Sequence, residues 1–137
     1  MLSSSKKLVD ANILLRLILQ DDEQLFQKAL HVVQDAGLAT LVTTPIIAAE
    51  VLYVLGGRGY SREQSAQALL LLTNRASFLE DIILQKSLQL YAETRLDFPD
   101  CYLAIRALAT KEQLETFDKP LLKLYNRLKE NRNEAKI

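Results

Sequence analysis

The chain has 137 residues, 49% apolar and 25% charged, an ordinary globular composition that suits one domain with a sizeable core. Seventeen Lys and Arg balance seventeen Asp and Glu, so the total charge argues neither for nor against a polyanionic partner, and charge placement decides instead. With one cysteine, Cys101, and one histidine, His31, an intramolecular disulfide and a thiolate metal cage are excluded.

Leu8-Val9 reads as a short buried strand ending at Asp10. The dense apolar stretch Ile13 to Leu19 reads as a helix that Asp10 or Asn12 can cap. Asp21-Asp22 precedes an amphipathic helix with Leu25, Phe26, Ala29, Leu30 and Val33 at helical spacing, ended by Gly37. Leu38 to Thr43 is a second strand. Thr44 caps and Pro45 starts a helix that stops at Gly56-Gly57. Ser61 and Gln64 form a capping box for a helix to about Leu72. Phe78-Leu79 is a short strand, Ile83 to about Arg95 a helix, and Pro99 or Asp100 to about Lys111 another. Leu114 to Phe117 is a strand, and Pro120 opens a last helix through about Leu128. The mixed-charge segment 129–137 has no core face and reads as a fraying tail.

Short apolar strands alternating with helices imply a single α/β domain over 1–137, with its core at about 7–128. Its central sheet is mostly parallel, with helices on both faces. In such sheets ligands sit outside the carboxyl ends of the strands. Asp10 and Asp118 each follow a strand and belong on that rim. No apolar run approaches the roughly 18–20 residues that span a bilayer, and the first residues lack the order of a secretory signal. A cytoplasmic chain with no membrane partner is therefore expected.

Four acids stand at the edges of apolar elements. Glu50 is the only charge between Gly37 and Gly57, inside the run Ile46 to Leu55. A carboxylate that must enter an apolar element is costly unless something pairs with it. Asp10 ends Lys7-Leu8-Val9-Asp10, Asp100 opens Asp100-Cys101-Tyr102-Leu103-Ala104-Ile105, and Asp118 ends Glu115-Thr116-Phe117-Asp118. Clustered carboxylates need a counter-charge. An all-oxygen donor set suits a hard cation, Mg²⁺ or Mn²⁺, as one or two ions. With no nucleophilic serine or cysteine pattern, water attack on a phosphodiester fits such a site.

Leu8 to Arg16, followed by Asp21-Asp22-Glu23-Gln24, resembles the opening of a PIN-domain protein of the VapC toxin type. Ala48-Ala49-Glu50-Val51-Leu52, Leu96 to Ala104 and Thr116-Phe117-Asp118-Lys119 resemble that family's later acidic motifs, in order, over about Leu8 to Leu122. The resemblance implies an endoribonuclease dependent on Mg²⁺ or Mn²⁺, with Asp10, Glu50, Asp100 and Asp118 as its acidic residues. It also implies an RNA substrate, a small cognate antitoxin and a homodimer. The chain departs from the pattern in its five or six residues before the first strand and in Cys101, where alanine is common.

Around these acids, Asn12 is a candidate to orient Asp10, Asp97 to hold a water or orient Arg95, and Thr116 to orient Asp118. Arg16, Arg106, Lys119 and Lys123 are candidates for RNA phosphates, each weighed against a solvated surface charge. His31 lies far from the acids in sequence, and Cys101 packs as a small hydrophobe. The apolar excess at Leu14-Leu15-Leu17-Ile18 and Leu69 to Leu72 serves core packing, or dimer and antitoxin contacts. Two competitors remain: a different Mg²⁺-dependent phosphoryl-transfer or phosphatase enzyme on an α/β fold, and a non-catalytic PIN-like binding module. The first typically needs a second aspartate two residues after its nucleophile, where this chain has Asn12.

Overall fold

The computed structural model of the chain describes residues 5–34, 40–75 and 77–135. Gly37, Leu38 and Ala39 lie outside them. The chain is mostly helical with a small parallel sheet, and it forms two compact units, residues 1–81 and 82–137.

In the N-terminal unit, β1 (Lys6–Leu8) pairs in parallel with β2 (Thr40–Val42), Leu8 opposite Val42. Leu41 also forms a parallel bridge to Phe78, its N–H donating to Ser77 O and its carbonyl accepting from Leu79 N–H, both at 2.7 Å. The expected strand at Phe78-Leu79 is thus a single bridge. β1 begins earlier than expected and is exposed, with burial starting only at Val9. Lysines on an exposed edge discourage pairing with foreign strands.

Side-chain caps fix the helices of this unit. In α1 (Ala11–Leu19), Asp10 Oδ1 accepts from Ile13 N–H at 3.2 Å. Before α2 (Glu23–Gln34), Asp22 Oδ1 accepts from Leu25 N–H at 3.1 Å. In α3 (Pro45–Gly57), Thr44 Oγ1 accepts from Ile47 N–H and Pro45 occupies the first turn. The expected capping box opens α4 (Arg62–Thr73): Gln64 N–H donates to Ser61 Oγ, and Ser61 N–H to Gln64 Oε1. Gly59 adopts φ +92° in the turn after α3, a conformation that a side chain would strain. α1 packs on α2 and α3, and α3 on α4. Leu14, Leu41, Val51, Leu55 and Leu69 are completely buried, each stabilising the fold by about 1.5–3 kcal/mol.

The C-terminal unit comprises α5 (Ile82–Glu93), α6 (Phe98–Thr110) and α7 (Lys119–Ala135), with α6 packed on both others. Leu90, Cys101 and Leu124 form a buried cluster, with Tyr91, Leu96, Ile105 and Leu128 against it. Tyr91 and Phe98 meet edge to face at 6.2 Å.

Two expectations are corrected here. Leu114 to Phe117 is not a strand: Thr116 Oγ1 accepts from Asp118 N–H and Asp118 Oδ1 from Leu121 N–H, local bonds that offer the backbone an alternative to a ladder. The last helix does not stop at about Leu128, because α7 continues to Ala135. There Lys129 lies over the Tyr125 ring and Arg132 donates to Leu108 O, which ties the added turns to the rest of the unit.

Candidate active site

In the N-terminal unit, Val9 N–H donates to Val42 O at 3.0 Å, so the chain stays paired to the sheet up to Asp10. The Asp10 carboxylate is exposed and caps α1 through one oxygen. Asn12 is exposed, and no side-chain hydrogen bond joins it to Asp10 among the described residues. Thr43, next along from Val42, is buried, and its hydroxyl has no hydrogen-bond partner among the described residues. A buried polar oxygen left open is rare in a native fold. Thr43 lies one residue past β2, at the carboxyl edge of the sheet where Asp10 also lies, and its open hydroxyl fits a polar group there.

Glu50 corrects its own rationale. Ala48, Val51, Leu52 and Leu55 form the buried face of α3, whereas Ile46, Glu50 and Tyr53 recur at the spacing of another. Ile46 and Tyr53 are 82% and 83% exposed, and Glu50 is exposed between them. The helix is apolar on two sides, and the carboxylate sits on the uncovered one, so no buried charge needs compensation.

In the C-terminal unit, Asp97 precedes α6 with extended backbone and makes no side-chain cap. Asp100 lies in the first turn of α6, half-buried. Asp118, exposed, precedes α7 and caps it at 2.9 Å, its own N–H held by Thr116 Oγ1 at 3.0 Å. Thr116 Oγ1 thus holds the Asp118 backbone N–H, while the Asp118 carboxylate accepts from Leu121. Partial burial pushes the Asp100 carboxyl above its ordinary range, and the negative charges of Asp118 and then Asp97 push it further. Asp100 therefore faces the charges of both neighbouring acids, and a cation would relieve that repulsion.

The donor chemistry is all carboxylate and hydroxyl oxygen, which fits a hard divalent ion. Among the described residues no three His, Cys, Asp or Glu side chains form a ready-made metal cage. Mg²⁺ itself usually takes only one or two carboxylates and completes its shell with water and phosphate.

The four basic candidates divide. Arg16 pairs with Asp21 at 3.2 Å. Arg106 donates to Glu112 at 2.9 Å and to Tyr102 Oη at 3.3 Å. Lys119 and Lys123 are exposed and make no ion pair among the described residues. Two more such cations were not among the phosphate candidates: Arg95, named only as a residue for Asp97 to orient, and Arg127. Arg95 and Arg127 line, with Lys123, a cleft of about 330 Å³ between the segment after α5 and the start of α7. The signal was present in the spacing of Lys119, Lys123 and Arg127, one basic residue per helical turn.

Comparison with protein-family models matches residues 7–126 to the PIN domain, a span that runs through both units. No curated protein and no solved structure matches the chain.

Proposed function

The chain belongs to the PIN-domain family, a nuclease-type fold, and on that premise we propose that it is a divalent-metal-dependent endoribonuclease and the toxin of a toxin–antitoxin pair. Asp10, Glu50, Asp100 and Asp118 are the carboxylates of the reaction, and they would hold one or two Mg²⁺ or Mn²⁺ ions. When bound, the ion would supply charge neutralisation at the phosphate and a more acidic water for attack. Asp100 and Asp118, with Asp97, concentrate negative charge at the starts of α6 and α7; Thr116 fixes Asp118. The single observation that carries this reading is the family match over residues 7–126, and the Asp100 carboxyl, raised by partial burial and then by the charges of Asp118 and Asp97, supports it.

A protein partner and a homodimer belong to the same proposal. Ile46 and Tyr53, uncovered on either side of Glu50, supply apolar surface for such a contact. Sedimentation of the full chain, alone and with a co-expressed antitoxin, reads both.

Thermal melting of the full chain in EDTA and in Mn²⁺, beside cleavage of single-stranded RNA, tests the enzymatic reading. Mn²⁺ at about 100 times its dissociation constant should stabilise the wild type by roughly 2.7 kcal/mol and permit cleavage, with both effects lost in Asp10→Asn. A wild type with neither a Mn²⁺ shift nor cleavage is a binding module instead.

A further inference from the structure

We propose that Lys119, Lys123 and Arg127 on α7, with Arg95 in the same cleft, form a track for the sugar–phosphate backbone of single-stranded RNA on one side of the bond being cut. The proposal rests on the nuclease reading above and adds to it how the substrate is held. Three observations in the C-terminal unit carry it.

The first is availability. Arg106 is committed to Glu112 and Tyr102, whereas Arg95, Lys119, Lys123 and Arg127 make no ion pair among the described residues. An uncommitted cation gives up only water to meet a phosphate. The second is geometry. Positions 119, 123 and 127 are spaced by four residues, so they form a row along one side of α7 at about 6 Å intervals. Lys123 and Arg127 line both grooves along this helix, one with Arg95 and the other with Lys119. The two grooves are therefore continuous through shared side chains.

The third is where the row begins. Lys119 follows Asp118 directly, so the positive track starts at a proposed catalytic acid and leads away from it. A strand whose scissile phosphate lies at Asp118 would set its next phosphates along α7. Leu96 and Leu124 give the cleft an apolar lining between the cations, a surface that tolerates sugar and base edges of any sequence. Glu93 lines the cleft and Glu130 the neighbouring groove, leaving four positive charges against two negative along the track. An acidic protein segment would share the charge complementarity, but the origin of the row at Asp118 favours the substrate.

The test is binding of a short labelled single-stranded RNA to the full chain in EDTA, followed by fluorescence anisotropy over a range of KCl concentrations. Lys123→Gln/Arg127→Gln keeps most of each stem over the apolar lining and removes two charges. Lys28→Gln/Lys86→Gln removes two exposed charges outside the cleft. Each lost phosphate contact flattens the plot of log affinity against log salt by about 0.7 for a single strand, so the cleft pair should lose about 1.4 in slope and bind roughly 25-fold more weakly at ~0.1 M salt. The control pair should keep the wild-type slope. Equal slopes for all three proteins overturn the proposal, as does a wild type that binds no RNA. An unchanged RNA slope with lost binding of polyglutamate would reassign the cleft to an acidic protein segment and also overturn it. RNA cleavage in Mn²⁺ is scored separately: a wild type that binds RNA but never cuts it, with the cleft pair showing the expected loss of slope, fails the nuclease reading and keeps the track.

Discussion

Asp100 and Asp118 repel one another across the starts of α6 and α7. Partial burial is the larger reason that the Asp100 carboxyl is pushed above its ordinary range; the Asp118 charge comes next and that of Asp97 third. A raised carboxyl favours folding while it stays protonated, and that contribution is lost as pH rises through its folded value. The metal-free protein at neutral pH therefore carries a charge it would be more stable without. Asp100→Asn should melt higher than the wild type in EDTA at pH 7, with the gap closing towards and below the ordinary carboxylate value of about 3.9. Saturating Mn²⁺ should narrow or reverse the order, because only the wild type gains the full ligand set. Scanning calorimetry at the two pH values reads this, and a variant that melts lower than the wild type in EDTA would refute it.

Asp10 and Asp118 each have an observed job as a cap and a proposed one in cleavage, which substitution can separate. Both cap a helix through one carboxylate oxygen. Asparagine caps about as well as aspartate, whereas alanine costs about 1 kcal/mol. Asp118→Asn should therefore keep the fold's stability in EDTA and abolish cleavage, while Asp118→Ala should lose both, and the same contrast holds for Asp10. Urea unfolding beside an RNA-cleavage assay separates the roles. Full cleavage by both asparagine variants would reduce these acids to caps.

Local signals were the legible part of the sequence. Thr44-Pro45 and the Ser61–Gln64 box name their helix starts, because a cap is written in residues adjacent to the bonds it makes. The family motifs around the four acids were legible for the same reason. What failed depended on which bonds and neighbours the folded chain selects, which residue type and periodicity do not reveal. Leu114 to Phe117 has strand-forming residues, yet the side chains of Thr116 and Asp118 claim their local backbone first. Glu50 looked buried because periodicity alone cannot show that α3 leaves Ile46 and Tyr53 uncovered. Arg16 and Arg106 looked as free as Lys123, and only their folded neighbours Asp21 and Glu112 distinguish them.

Leu14 is the next case in which burial sets a magnitude. It is completely buried on α1, the helix that Asp10 caps and that packs on both α2 and α3. Leu14→Ala should cost about 2.7–5 kcal/mol, the transfer term plus a cavity the neighbours only partly fill. Urea denaturation should show a lower midpoint with an unchanged slope. A loss below ~1 kcal/mol would mean that the site is not tightly packed.

Asp21 supplies the acid-side counterpart to Asp100. Its Oδ1 accepts from Arg16 in the last turn of α1, and its Oδ2 accepts from Arg58 at the end of α3, 37 residues away, at 3.2 and 3.3 Å. Desolvation acts to raise its carboxyl, but the Arg58 hydrogen bond, its own backbone N–H and the charges of both arginines outweigh that and hold it below the ordinary range. A depressed carboxyl stabilises the fold above its unfolded value and loses that contribution as pH falls through the folded one. All three side chains are partly exposed, so solvent and salt screen the effect. Asp21→Asn should lower the melting temperature slightly at pH 7 in low salt, and the difference from wild type should shrink both at high salt and as pH falls through the acid range. Arg58→Gln should reproduce part of the same loss. An Asp21→Asn difference that grows on acidification would mean that the carboxylate is not held by these arginines in solution.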